Sequence, residues 1–167
     1  TGANGFLGTA VAKQAIQQGI AARGIVRSDE AAAEIARIGI NAFICPGYTE
    51  NELEAAFKGA KAVIHLVAIA KGSDHHIDEV NVKLLKRVLD AARKAGVPKI
   101  VYISGLGVGV PGACSPELES YVHSKESGEY LVKHSGLRYT IFRPSFVVGP
   151  GDWFTRAVVE SISAGYV

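Results

Sequence analysis

The sequence contains no methionine, not even an initiator, a single tryptophan and only two cysteines. The missing initiator fits an incomplete chain. Cys45 and Cys114 lie far apart and belong to no close-spaced pattern, which excludes a disulfide framework and leaves two reduced thiols of a cytoplasmic-type protein. His75-His76 has no further ligands clustered around it, so it reads as a surface pair and no metal site is expected. Long apolar runs are also missing. The longest, Ala62 to Ala70, is interrupted by His65 and is far short of the roughly 20 residues of a membrane span. Neither charge sign dominates: 18 Lys and Arg against 16 Asp and Glu give a formal net charge of +2, and the cations are scattered. That leaves no footprint for nucleic acid. No polar low-complexity tract or linker divides the chain, and residues 1–167 are read as one globular domain with 48% hydrophobic residues.

Glycine, in contrast, is plentiful and placed. Thr1-Gly2-Ala3-Asn4-Gly5-Phe6-Leu7-Gly8 has three glycines at a spacing of three and runs into a helical pattern from Phe6 to Gln18. A glycine turn that opens a helix lets backbone amides approach a pyrophosphate, and the helix N-terminus adds partial positive charge. Such a fingerprint follows a β-strand, and here the sequence opens at the turn itself, so the domain reads as cut before its first strand.

Apolar periodicity predicts strands at 20–27, 40–45, 62–68, 99–103 and 137–142. Between them lie helices: one from Ser28 or Asp29 through Ile38, one opened by the capping box of Thr49 and Glu52, one carrying Val80, Leu84, Val88 and Ala91, and one from Ser115-Pro116 to His134. A glycine-rich loop from Ser104 to Ala113 and a last helix capped by Asp152 complete the pattern. Strand and helix alternate throughout, so the fold class is α/β, a doubly wound, Rossmann-like parallel sheet. Ligands of such sheets sit outside the carboxyl ends of the strands. That rim carries the glycine turn, Arg27, Ala68 to Lys71, Ser104 to Leu106 and Arg143-Pro144.

Tyr121 and Lys125 stand four apart on one predicted helix and so share a face. A lysine ammonium near a phenol favours the phenolate and draws its pKa down toward neutrality, a recognised acid–base device. The glycine turn, Val101-Tyr102-Ile103-Ser104, Tyr121-x-x-x-Lys125, and Arg143-Pro144-Ser145 followed by Gly149-Pro150-Gly151-Asp152 together resemble the short-chain dehydrogenase/reductase superfamily, in its extended and atypical branch. Tyr121 to Lys125 with Gly128-Glu129 is similar to nucleotide-sugar epimerases and dehydratases, and closer still to the NADH-dehydrogenase accessory-subunit-like group.

The resemblance implies Tyr121 as general acid or base, Lys125 as the residue that binds the nicotinamide ribose and lowers the Tyr121 pKa, and a serine that orients the substrate. The family's serine position holds Leu106, so Ser104 is the substitute. Gly2, Asn4, Gly5, Phe6, Leu7 and Gly8, with Ala68, Lys125 and Pro144, are the expected cofactor contacts. Arg27 ends the second strand where NAD-selective sites carry an acid, and an arginine there accommodates a 2′-phosphate. Arg27, with Ser28 as second contact, therefore points to NADP, with NAD as the alternative through Asp29. Gly47-Tyr48 stands where the family carries Gly-Asp against adenine. Asn81 reads as structural, His65 as a core residue, and Trp153 and Phe154 as core or a substrate-side wall. A small-molecule substrate such as a nucleotide-sugar and a helix-pair homodimer are expected partners. The family's C-terminal substrate region is largely absent from this chain. The resemblance leaves two functions: hydride-transfer oxidoreductase or epimerase, or a non-catalytic NADP-binding structural or sensor protein.

Overall fold

The structure, a computed structural model, describes residues 1–110, 112 and 114–165, without the side chains of Trp153 and Phe154. Ala113, at the end of the predicted glycine-rich loop, and Val167 lie outside the described residues, as do the two aromatic side chains expected at a wall or core.

Elements alternate as the periodicity requires: α1 (Phe6–Gln17), β1 (Arg23–Val26), α2 (Asp29–Ala36), β2 (Asn41–Ile44), α3 (Glu50–Phe57), β3 (Val63–His65), α4 (Asp74–Asp78), α5 (Leu84–Lys94), β4 (Lys99–Ile103), α6 (Glu119–Lys133), β5 (Arg138–Phe142) and α7 (Trp153–Ser163). Side-chain caps set several starts. Ser28 accepts from the Ala31 amide, Thr49 and Glu52 close the predicted capping box, and Asp152 accepts from the Thr155 amide. β4 spans the predicted 99–103 and β5 begins one residue late, whereas β1, β2 and β3 are shorter than the apolar runs that announced them, because pairing ends before the hydrophobic pattern does.

Two helices differ from expectation. The stripe containing Val80 and Leu84 belongs to a helix that starts earlier, at the Ser73 cap, and is interrupted by a π-helical turn over Glu79–Lys83. A π turn shifts the side-chain register by one residue, and here it brings Asn81 inward. Ser115-Pro116 opens only a 3₁₀ turn (Pro116–Leu118), and Ser115 makes no side-chain cap; the α-helix proper begins at Glu119.

All strand pairings are parallel, but they form two sheets, β1-β2 and β3-β4-β5. Residues 1–3 run between them. The Thr1 nitrogen donates to Ile64 O at 2.8 Å and the Leu66 amide to Thr1 O at 3.3 Å, while a Cβ placed on Gly24 of β1 would lie 2.9 Å from the Ala3 methyl. The segment of residues 1–3 thus lies between β1 and β3, where a doubly wound sheet holds a central strand. Ile25, Leu53, Phe57, Leu85, Val88, Ile100 and Val132 join both sheets into the main core, and Ala12, Val26, Ile35 and Ile40 seal α1 and α2 against β1. The carboxyl ends of all five strands consequently open on one rim.

Candidate cofactor and proton-transfer site

The three glycines of the opening turn do not serve the same end. Gly2 sits at φ 72°, and a Cβ there would come within 3.2 Å of the Val67 amide. Gly8 is buried, and a Cβ would run into Gly2 O and lie 2.7 Å from the carbonyl group of Ala3. Both are demanded by packing. Gly5 is not: a Cβ would meet only Gly2 O, at 3.4 Å, and otherwise enter open space at the mouth of α1. The α2, α3, α4 and α7 N-termini are each capped by a side chain, whereas α1 has no side-chain cap and no acidic residue in its first turn. Its first amides are left for an anion. A dinucleotide pyrophosphate fits this cradle, with Asn4, Gly5, Phe6 and Leu7 half-buried or exposed around it.

Beside the turn, an open cleft of about 590 Å³ is lined by Asn4, Ser28, Glu30, Ala31, Ala33, Glu34 and Arg37. It joins the glycine turn to the end of β1, where Arg27 is exposed. The Ser28 hydroxyl is occupied locally: it accepts from the Ala31 amide at 3.3 Å, and a hydrogen bond to Ser28 pulls the Glu30 carboxyl below its ordinary pKa. Arg27 is therefore the freer of the two candidate phosphate contacts. Arg37, a full helix away in sequence, was not foreseen at this cleft. Tyr48 is turned inward at φ 46°, 7% exposed, and donates to Ile25 O at 3.4 Å, so its hydroxyl is buried between β1 and the Gly2 backbone.

Across the rim, α6 carries Tyr121 and Lys125. The Tyr121 ring is half-buried, and a Cβ on Gly105 would lie 3.5 Å from its hydroxyl; the loop after β4 thus passes over the phenol with only a hydrogen there. Lys125 is 3% exposed, donates to Ile103 O at 2.7 Å, and stands 4.8 Å from the Tyr102 ring centroid and 5.8 Å from that of Tyr121. Burial lowers its pKa to about 8. The Tyr121 phenol is not drawn down as the Tyr-Lys spacing suggests: burial raises its pKa. In this arrangement desolvation of both groups outweighs their mutual attraction.

Ser104, the expected substitute for the family's serine, is 2% exposed and donates its proton to Glu129 Oε1 at 2.7 Å. Glu129 is itself 3% exposed and also accepts from Arg143 Nε and Nη2, at 2.6 and 2.7 Å, and from Lys133 at 3.1 Å. These donors, Arg143 foremost, hold its carboxyl at about pH 2. The network ties α6 to the ends of β4 and β5. Ser104 N donates to Phe142 O and Leu106 N to Pro144 O, which stitches the two loops together at the rim and seats Pro144 beside Leu106. Leu106 is 67% exposed.

Asn81 closes the other side. Its amide accepts from the Ile69 amide and donates to Ile69 O and to Ser124 Oγ, each at 2.9 Å, so the π turn pins the loop containing Ala68 to α6. Ala68 is exposed on that loop. His65 lies in the core as expected, its Nδ1 2.9 Å from the Thr1 hydroxyl, with its pKa pushed well below the ordinary histidine value by burial and further by the Lys125 ammonium. The rim therefore brings together the glycine turn, Arg27, Ala68, Tyr121, Lys125 and Pro144, and withdraws Ser104. Glu129 was not foreseen as the hub, although its place four residues after Lys125 on the same helical face was the available signal. Among the described residues no group of His, Cys, Asp or Glu is arranged to hold a metal ion, and no helix is long and apolar enough to cross a membrane.

The profile of a family described as NAD(P)H-binding matches residues 2–156. The chain is 30% identical over 161 residues to a ceramide reductase of Caulobacter vibrioides, covering 96% of this chain and 49% of that protein. It is 26% identical over 179 residues to a 4-hydroxy-2-methyl-3-oxo-4-farnesyl-3,4-dihydroquinoline-1-oxide ketoreductase of Stigmatella aurantiaca, covering 97% and 54%. A putative NAD-dependent epimerase/dehydratase from Bacillus halodurans shares the fold, with a TM-score of 0.81 at 20% identity over 92% of this chain and 72% of that one. The chain spans about half the length of the curated relatives it matches.

Proposed function

Because the chain belongs to the NAD(P)H-binding family, in the extended and atypical branch of the short-chain dehydrogenase/reductase superfamily, we propose that it is the cofactor domain of an NADP(H)-dependent carbonyl oxidoreductase with Tyr121 as proton donor. A nicotinamide dinucleotide held here would supply hydride to a carbonyl carbon in reduction, or accept it from a carbinol in oxidation. Gly5 and the uncapped start of α1 hold the pyrophosphate, Arg27 takes the 2′-phosphate and thereby favours NADP over NAD, and Lys125 serves the ribose beside the nicotinamide. Tyr121 gives its phenolic proton to the substrate oxygen in reduction and removes it in oxidation. Its raised pKa keeps it protonated at neutral pH, the state that reduction needs.

The observation that carries this reading is the Tyr121 hydroxyl, over which the β4 loop passes at Gly105, one helical turn from the buried Lys125. The two curated relatives are named as reductases, which favours carbonyl reduction over sugar epimerisation. Tyr121→Phe is expected to abolish NADPH-dependent carbonyl reduction while leaving NADPH affinity within about twofold. Unchanged turnover would overturn the assignment.

A second reading, a cofactor-holding protein without turnover, is favoured by one pair of observations: Leu106 stands at the family's serine position, and Ser104 is bound to Glu129. Cofactor-dependent turnover across a panel of ketones and nucleotide-sugars separates the two, since the second reading requires none.

A further inference from the structure

Lys125 is a buried cation with no anion paired to it. Among the described residues no carboxylate forms an ion pair with it; Glu129, one turn further along α6, is taken up by Arg143, Lys133 and Ser104. A charge withdrawn from water needs partners. Ile103 O takes one of the three ammonium protons, and two ring faces stand within the roughly 6 Å reach of a cation–π contact, Tyr102 at 4.8 Å and Tyr121 at 5.8 Å from their centroids. Tyr102 is the nearer, and packing fixes it there. It is 1% exposed, its ring lies 6.2 Å from that of His65, its register partner on β3, and a Cβ on Gly128 would run into its hydroxyl and lie 2.7 Å from its Cζ. Gly128 stands inside α6, where glycine weakens a helix, and it leaves the room that the ring tip fills. The buried Tyr102 hydroxyl itself has no hydrogen-bond partner among the described residues, and burial pushes its pKa further up, so it is neither a bonded phenol nor an anion. What Tyr102 offers the site is its ring face.

We infer that Tyr102 is a positioning residue of the proton-transfer pair: its ring face is the counter-pole that seats the Lys125 ammonium, in place of a carboxylate, one helical turn from Tyr121. A carboxylate in that seat would take up the ammonium protons as hydrogen bonds. A ring face attracts the charge without accepting at a lone pair, so with one proton on Ile103 O the others remain for the cofactor and for the phenolate that Tyr121 becomes once it has protonated substrate. The groups around the ammonium leave this role to the ring. On α6 they are Tyr121 and Glu129, on β4 Tyr102, on β3 His65, which burial keeps neutral, and after β5 Arg143, bound to Glu129; the π turn packed on α6 adds only an uncharged amide, Asn81, bonded to Ser124. The inference rests on the oxidoreductase reading for the use of the ammonium, and on packing alone for its seat.

The test follows Lys125 directly, in proton–carbon correlation spectra of the whole chain labelled at lysine Cε, with Lys125→Met assigning the resonance. Burial brings the Lys125 pKa to about 8, and loss of an attractive ring face lowers it further. Tyr102→Leu removes the face and keeps the site apolar, so the titration midpoint should fall by about one pH unit, the tenfold change that a desolvated cation–π contact is worth. Tyr102→Phe keeps the face and loses only the unpartnered hydroxyl, so its midpoint should stay near that of wild type. Should Tyr102→Leu fail to fold, fluorinated phenylalanines at position 102 decide the matter. Each fluorine draws electron density from the ring face with little change of shape, and the midpoint should fall stepwise with their number. In NADPH-dependent ketone reduction the alkaline limb of kcat/KM should move to lower pH together with the Lys125 midpoint. A midpoint unmoved in the Tyr102→Leu and fluorinated variants, or one that falls as far in Tyr102→Phe as in Tyr102→Leu, overturns the inference. A midpoint that moves as expected in a protein that turns over no ketone leaves the seat standing and strikes the oxidoreductase reading instead.

Discussion

Glu129→Gln is the perturbation whose size follows most directly from the structure. Glu129 is a nearly fully buried carboxylate with four donors: the Ser104 hydroxyl, two nitrogens of Arg143 and the Lys133 ammonium. Glutamine keeps the shape but turns an acceptor into an amide that faces Arg143 donor to donor. Breaking a buried charge pair costs about 3–5 kcal/mol, and the lower end applies because the Arg143 side chain is 49% exposed and can rehydrate. The carboxyl pKa, held down to about 2 chiefly by the Arg143 hydrogen bonds, points the same way, favouring the charged form. A loss of about 3 kcal/mol corresponds to a Tm lower by roughly 6–12 °C for a domain of this size. A depressed carboxyl pKa stabilises the fold above the unfolded value and loses that stabilisation as pH falls through the folded one. Wild type and variant should therefore differ fully above about pH 5 and converge between pH 4.5 and 2. Urea unfolding followed by circular dichroism at pH 7, 4 and 2 measures this. Equal midpoints at pH 7, or a gap that persists unchanged at pH 2, would refute the reasoning.

Four further expectations are more compact. Gly5→Ala should fold with stability within about 1 kcal/mol of wild type yet weaken NADPH at least about tenfold by titration calorimetry, because its Cβ enters the cradle and not the core. Gly8→Ala should lose about 3 kcal/mol or more, or fail to fold, since the clash is with backbone, and thermal melts decide it. Arg27→Ala should weaken NADPH by about 10- to 100-fold, the worth of a charge-assisted hydrogen bond, and NADH by less than about threefold; equal losses contradict the 2′-phosphate role. His65, neutral in the fold with a lowered pKa, stabilises above about pH 6.5 and costs stability below it, so His65→Gln should flatten the decline of the urea midpoint between pH 6.5 and 5.

The order of elements and the position of the rim were legible in the residues, because helix and strand periodicity and N-caps are local properties. Thr49 with Glu52, Asp152 ahead of α7 and Ser28 ahead of α2 announce their helices within four residues. The same locality exposed Tyr121 and Lys125 as one helical face. It could not show that the two groups sit 5.8 Å apart with Lys125 donating to the chain of β4, since that geometry depends on how α6 packs on the sheet.

What tertiary structure alone decided lies in pairs distant along the chain. Ser104 and Glu129 are 25 positions apart and Asn81 and Ser124 are 43 apart. Whether a hydroxyl faces substrate or a buried carboxylate is settled by the crossing of β4 and α6, about which the residues around Ser104 carry no information. The π turn at Glu79–Lys83 likewise answers a long-range demand, the anchoring of Ile69, and leaves no mark on the apolar stripe. Even the glycines divide this way: their spacing alone marks a phosphate turn, while packing separates Gly2 and Gly8, which the protein needs for itself, from Gly5, which it leaves open to a ligand.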